Sequence, residues 1–273
     1  MLTVPPTYLK YLKKTDTRLT SVEGQNIEVW ELFIPEADPC LNEWAARFRQ
    51  NYCLDTEIDE LRNGTGLSRS EYLIQLVFPD KIDAPGPGVR SGDFAELLIA
   101  DYIEHVLDFW VPRGKYAEKA SRNESVKGVD ILGFKFIEVG KASPTDTLLA
   151  FEVKAQISGG KYQGRLQAAI NDSSKDFLRS AYTLNATKRR LMNQGNHQGT
   201  LVVSRFQNIA DHPYTFKSGA AVVLSDEAYD ETALQGTKVA KHKNVDSLEL
   251  IVVRGHQLMF LVHALYEKAA NEA

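Results

Sequence analysis

The chain has few cysteines and no long apolar run. Its 273 residues include only two cysteines, too few for a disulfide framework, and no group of cysteines and histidines has the spacing of a zinc site. No apolar segment approaches the roughly twenty residues of a membrane-spanning helix. Residues 1–14 lack the apolar core of a signal peptide. With 43% hydrophobic and 25% charged residues, the composition predicts a globular protein of the cytoplasm, with no membrane partner.

An excess of positive charge is also missing. The formal net charge is −4 at pH 7, whereas a domain that binds nucleic acid unaided is usually basic. Basic residues do cluster at 113–119, 188–190 and 238–243, but such clusters are more typical of solvated faces than of phosphate contacts. The glycines at 86 and 88 are too few for a phosphate-binding loop, so we expect no bound nucleotide. Any binding to nucleic acid would therefore depend on a partner.

The run 147–155 contains the most informative pair of residues. Its apolar pattern predicts a strand, and Glu152 and Lys154 project from the same face of a strand because side chains alternate. A carboxylate and an ammonium in an apolar strand are costly to bury unless they are paired or hold a metal. Taken alone, the pair has a simple alternative interpretation as a solvated ion pair at the end of a strand.

Two further acids lie in neighbouring predicted elements. The short apolar strand at 127–134 contains Asp130, and a hairpin with the next strand would bring Asp130 beside Glu152. The spacing of apolar residues predicts a helix over 91–103, with Ser91 as its N-cap and Glu96 one turn inside it. A helix acid followed by two strand acids and a lysine is poorly explained as a solvated face.

Metal-dependent phosphodiester hydrolysis is the chemistry that needs this set. Mg²⁺ prefers oxygen ligands and is usually held by one or two protein carboxylates, which here would be Asp130 and Glu152. Glu96 would complete the metal shell through a water molecule. Lys154 would orient the attacking water and stabilise charge in the transition state, a role that suits a compact cation.

Glu96, Asp130 and Glu152-x-Lys154 together resemble the PD-(D/E)xK, or restriction-endonuclease-like, nuclease superfamily. The resemblance implies an α/β (α+β) fold in which helices flank a mixed central sheet. The chain departs from the motif at Val129, which stands where the superfamily has proline.

The flanking segments are similar to one family in particular. Residues 92–98, 128–133, 151–154 and 166–176 resemble the HamA family, the nuclease subunits of the Hachiman anti-phage defence system. The resemblance implies a Mg²⁺-dependent deoxyribonuclease, with Mn²⁺ as a substitute ion, that acts on DNA. It also implies a partner, the helicase-type ATPase HamB.

A polar stripe follows the Glu-x-Lys strand. Gln167, Asn171, Lys175 and Arg179 are spaced by four residues and would form one side of a helix. In the superfamily this helix lies next to the active site, so Gln167 and Lys175 are candidates for substrate contact. The alternative, equally compatible with the spacing, is a polar face that meets only water.

Proline and glycine between residues 79 and 88 mark the predicted domain boundary. We assign 1–87 to an N-terminal extension, which either binds a partner or packs on the core, and 88–273 to the nuclease core. We expect the partner interface before Pro85. Apolar runs predict further strands at 28–34, 201–204, 220–224 and 247–253. Apolar residues at helical spacing predict helices at 40–52, 70–77 and 258–269.

Two other functions stay open at this stage. The chain is alternatively a nuclease-fold scaffold whose catalysis is dispensable, although a scaffold has no need of four costly polar groups. It is alternatively a stand-alone restriction-type nuclease, for which we would expect a basic recognition domain that the sequence does not contain.

Overall fold

A six-stranded mixed sheet forms the centre of the protein in a computed structural model, which describes residues 4–35 and 39–273. The strands are β1 (Leu12–Thr20), β2 (Asn26–Leu32), β3 (Ile131–Lys135), β4 (Thr147–Gln156), β5 (Thr215–Ser225) and β6 (Leu248–Gly255). Their order across the sheet is β1-β2-β6-β5-β4-β3. The four central strands are parallel, and β1 and β3 pair antiparallel at the two edges.

The helices are α1 (Cys40–Gln50), α2 (Ile58–Leu61), α3 (Arg69–Tyr72), α4 (Gly86–His105), α5 (Arg165–Ser173), α6 (Asp176–Asn193), α7 (His197–Arg205), α8 (Glu231–Gln235) and α9 (Leu258–Asn271). Short 3-10 helices lie at Thr7–Tyr11, Lys115–Glu118, Asp226–Ala228 and Val245–Ser247, and a π-helical turn at Leu73–Val77 continues α3. Across the described residues, no helix combines the length and the apolar character that crossing a bilayer requires. The mixed sheet with flanking helices confirms the predicted fold class.

Helices cover both faces of the sheet. On one face, α1, α4 and α9 bury aromatic residues against alternate residues of β4, β5 and β6, with Phe151 and Val153 of β4 among them. On the other face, α5 and α8 pack on β2, β5 and β6. The helices α6 and α7 cover β3 and β4 on that same face, where they contact Leu148 and Ala150. Because side chains alternate along a strand, Glu152 and Lys154 project toward the face of α5 and α6.

The N-terminal part of the chain is built into this architecture. The strands β1 and β2 extend the sheet, with β2 pairing parallel to β6. Tyr8 stacks on Trp44 of α1 with ring centroids 4.3 Å apart, and Phe48 packs edge-on against Tyr266 of α9. These residues share one hydrophobic core with α4. Partner binding by this region, and the boundary at residue 87, stay predictions.

Two predicted helices have different limits in the structure. The helix expected over 91–103 begins at Gly86, since Pro87 fits the first turn, where its missing N–H is not needed. Ser91 is therefore not an N-cap, and its hydroxyl donates to the Pro87 carbonyl at 3.0 Å. The polar stripe does not lie on one helix either. The helix breaks between α5 and α6 at Ser174 and Lys175, and the Ser174 hydroxyl accepts a hydrogen bond from the Lys243 amide at 3.1 Å.

The strand predicted at 201–204 is wrong, because these residues lie in α7. A run of three apolar residues does not distinguish a strand from a buried helix turn. Asn196 decides the outcome, since its side chain accepts a hydrogen bond from the Gly199 amide at 2.8 Å and caps the helix. The other predicted strands correspond to β2, β5 and β6, whereas the sequence pattern did not reveal the polar edge strand β1.

Gly219 is predicted to be essential for the packing beneath the site. It pairs with Phe151 across β4 and β5, and a Cβ at Gly219 would lie 1.9 Å from Cε2 of that fully buried ring. We expect Gly219→Ala to lower the free energy of unfolding by about 1–3 kcal/mol, the usual cost of overpacking a core. Urea denaturation followed by circular dichroism measures the change.

Gly92→Ala is the matched control. Gly92 lies inside α4, and a Cβ there would meet nothing within 4 Å. Replacement with alanine should leave the stability unchanged or raise it by up to about 1 kcal/mol, because alanine favours helices. Equal stability of the two variants would show that the Phe151 ring has room to move.

Candidate active site

The β3–β4 hairpin brings Asp130 next to Glu152. Ile131 pairs with Phe151 in the antiparallel ladder, so Asp130, one residue before β3, stands opposite Glu152. The Asp130 carboxylate accepts a hydrogen bond from the Val153 amide at 2.9 Å, which fixes its position against β4. The predicted hairpin, which brings Asp130 beside Glu152, is therefore present.

Glu96 approaches Asp130 from the other side. It lies on α4, and its carboxylate accepts a hydrogen bond from the Tyr116 hydroxyl at 2.8 Å. The Lys115 ammonium is paired with the same carboxylate and also donates to the Asp130 carbonyl at 2.5 Å. Glu96, Lys115, Tyr116 and Asp130 line one cavity between α4 and α6.

Glu96 and Glu152 both influence the ionisation of Asp130. Burial raises the pKa of Asp130 well above its usual range, and the nearby carboxylates Glu96 and Glu152 raise it further. Like charges that must lose their hydration together disfavour ionisation. A positive ion near Asp130 would relieve this repulsion.

Lys154 is held at the opening of this group. Its ammonium lies 3.0 Å from Oδ2 of Asp172 and 3.4 Å from Oε2 of Glu152. Burial opposes the charged form of Lys154, but Asp130, Asp172 and Glu152 outweigh it and raise the pKa. The side chain is 27% exposed. Lys154 is therefore cationic at neutral pH and accessible from solvent.

Arg179 at the start of α6 adds a second cation. Its Nη1 lies 3.1 Å from Oε1 of Glu152 and 3.6 Å from Oδ1 of Asp176. The Asp176 side chain is fully buried and shares a hydrogen bond with Glu152. Burial and the Glu152 charge raise the pKa of Asp176 to about 9. Arg179 thus lies between Glu152 and Asp176, and the two acids influence each other's ionisation.

The donor set fits a hard cation. Asp130, Glu152 and Glu96 offer only carboxylate oxygens, as Mg²⁺ prefers, and Mg²⁺ is usually held by one or two of them with water completing the shell. Ligand atoms of these three acids are not all within 4.8 Å of one another.

A tighter acidic group exists elsewhere in residues 4–35 and 39–273. Ligand atoms of Asp101, Glu104 and His105 do lie within 4.8 Å of one another. Arg113 donates to Asp101 at 2.8 Å and to Glu104 at 2.6 Å, and the Tyr8 hydroxyl donates to Asp101 at 2.5 Å. The protein itself therefore satisfies these acids.

Comparison with known proteins identifies the family. A family model described as HamA matches residues 6–269, nearly the whole chain. The chain belongs to the HamA family. No curated protein matches it. The family resemblance found in the sequence is thereby confirmed, and membership supports a role in Hachiman anti-phage defence.

Several polar residues around the HamA-family site were not among the predicted site residues. Asp172 and Arg179 contact Lys154 and Glu152, Lys115 contacts Glu96, and Asp176 lies beneath Arg179. Arg179 was part of the polar stripe, and Lys115 was part of a basic segment. No local pattern indicates Asp176, because its burial results from packing between α6 and the sheet.

The two candidate substrate contacts have different surroundings in this HamA-family chain. Gln167 accepts a hydrogen bond from the Lys238 amide at 2.7 Å and donates to the Lys238 carbonyl at 3.0 Å, so it joins α5 to a neighbouring loop. Lys175 is exposed and pairs with Asp172 at 2.9 Å. Substrate contact by either residue stays a prediction.

Proposed function

We propose that this chain is the Mg²⁺-dependent deoxyribonuclease subunit of a Hachiman defence complex and hydrolyses DNA phosphodiester bonds. The observation that supports this most strongly is the placement of Asp130 between Glu96 and Glu152, with Lys154 on the same strand face as Glu152. Family membership supports the same function.

The acids and the lysine would have different roles. Asp130 and Glu152 would hold the ion directly, and Glu96 would hold it through water. When bound, a divalent metal supplies an acidified water and neutralises charge on the phosphate oxygens. Asp130 must lose its proton before it serves as a ligand, so the carboxylates bind metal more weakly at low pH.

Lys154 would act on the reacting groups themselves. Its ammonium is charged and partly exposed, so it would hold the attacking water in line and stabilise the negative charge that develops on the phosphate. Asp172, 3.0 Å away, orients it without taking part in the reaction.

Cleavage should depend on a divalent metal. We expect plasmid DNA to be cut by the purified chain, or by its complex, in Mg²⁺ or Mn²⁺ and to stay intact in EDTA. The apparent affinity for metal should rise with pH, because the raised pKa of Asp130 keeps a proton on the ligand at lower pH. Gel assays across a metal and pH series measure both. Equal cleavage under chelation would exclude the metal mechanism.

Lys154→Ala is expected to reduce cleavage by roughly 10²-fold or more, similar to the loss of an oxyanion-stabilising donor. The strand should still fold, because Lys154 is partly exposed. Single-turnover cleavage rates measure the effect. Lys13→Ala, an exposed lysine on the distant edge strand β1, is the matched control and should cleave at the normal rate.

The same variants separate an enzyme from a scaffold. Phage defence should be lost in cells that carry either Glu152→Ala or Lys154→Ala, while the partner still co-purifies. Full defence with both variants would mean that the site is dispensable and that the chain acts as a scaffold.

We also propose a HamB-like, helicase-type ATPase partner. An acidic chain makes few phosphate contacts at physiological salt, so DNA would be delivered by the partner. We expect the chain to co-elute with such an ATPase in size-exclusion chromatography after co-expression of neighbouring genes. A full-length chain that never binds a helicase would contradict this partner.

The expected interface before Pro85 requires point variants, because β1, β2 and α1 belong to the common core. Arginine at exposed apolar positions tests the region without unfolding the chain: Phe33, Leu61 and Ile82. At least one of these changes should abolish co-elution. Leu201→Arg, at a similarly exposed position on α7, is the control. Loss of binding only in the control would place the interface elsewhere.

A further inference from the structure

Both carboxylate oxygens of Glu152 are engaged by cations of the chain itself. Arg179 lies 3.1 Å from Oε1, and Lys154 lies 3.4 Å from Oε2. The Glu152 side chain is only 2% exposed, so solvent does not compete for these oxygens. A metal ion that binds Glu152 would therefore compete with these two cations for the carboxylate.

Of the two cations, Arg179 has alternative partners close by. Its second nitrogen, Nη2, already donates to the Asp172 carbonyl at 3.2 Å. Oδ1 of Asp176 lies 3.6 Å from Nη1, just beyond hydrogen-bond distance. A small shift of the guanidinium would bring Nη1 within hydrogen-bond distance of the fully buried Asp176 side chain, which also shares a hydrogen bond with Glu152. Lys154, in contrast, lies on the same strand as Glu152 and is tied to Asp172.

After such a shift, some N–H donors of the Arg179 guanidinium would remain without a partner. Arginine has five N–H donors in a planar fork that matches the oxygens of a phosphate. The Arg179 side chain is 32% exposed, so its outer N–H groups are accessible to a ligand in front of Glu152. Neither Gln167, held by the Lys238 backbone, nor the freely exposed Lys175 is positioned against Glu152 in this way.

We propose that Arg179 is held by Glu152 in the metal-free chain, and that a metal bound to Glu152 releases it to contact a phosphate of the DNA substrate. The proposal rests on the nuclease function proposed above. It makes Arg179 a substrate-binding residue that is available only when the metal is in place. Asp176 then serves as a positioning residue, because it anchors the released guanidinium.

Metal binding by the full-length chain is the first test. Calorimetric titration with Mn²⁺ should show affinity about fivefold tighter for Arg179→Gln than for the unaltered chain, because a competing, partly exposed ion pair is lost. Arg189→Gln removes an exposed positive charge farther along α6 and should change the affinity less than twofold. Glu152→Gln should abolish tight binding.

DNA binding gives a readout independent of cleavage. Fluorescence anisotropy with a labelled duplex in EDTA should show little effect of Arg179→Gln alone, since Arg179 is then held by Glu152. In the Glu152→Gln background, where that charge is gone, the added Arg179→Gln change should weaken DNA binding about fivefold, as expected for one lost phosphate contact. Arg189→Gln should have the same effect in both backgrounds.

The outcomes distinguish this proposal from the nuclease function. If the unaltered chain binds Mn²⁺ through Glu152 but Arg179→Gln changes neither metal affinity nor the background dependence of DNA binding, the role of Arg179 is wrong and the nuclease function stands. Equal weakening of DNA binding in both backgrounds would also overturn the role, because Arg179 would then act only through its charge. A chain that binds no metal and cuts no DNA would contradict both.

Discussion

The repulsion among Glu96, Asp130 and Glu152 is the constraint around which the site is arranged. Three carboxylates that share a poorly hydrated space destabilise one another, and the raised pKa of Asp130 records that cost. Cations from separate elements offset it, since Lys115 pairs with Glu96 and Arg179 pairs with Glu152. Segments that lie far apart in the chain thus supply the counter-charges of these acids.

The fold provides the rigidity that such an arrangement needs. The strand β4 lies between a parallel and an antiparallel neighbour, and Phe151 and Val153 are buried beneath α1, α4 and α9. Glu152 therefore has a fixed backbone on either side. The break between α5 and α6 has a corresponding purpose, since it places Asp172 and Arg179 over the same strand face. A continuous helix would have carried these two residues along a single axis.

The negative net charge of the chain bears on how the protein would meet DNA. The acids are neutralised internally, and the overall charge is −4, so the surface attracts DNA poorly. Membership in the HamA family supports a role in Hachiman anti-phage defence.

The sequence alone determined which side chains share a face of β4 and which strand pairs with it. Alternation places Glu152 and Lys154 on one face, and the apolar run around Asp130 predicts its partner strand, because both follow from local backbone geometry. Local patterns failed where packing decides the outcome, as in the helix at 201–204 and the break at Ser174. Only the tertiary structure determined which charges meet at Glu152, because ion pairs between residues far apart in the chain depend on how the helices pack on the sheet.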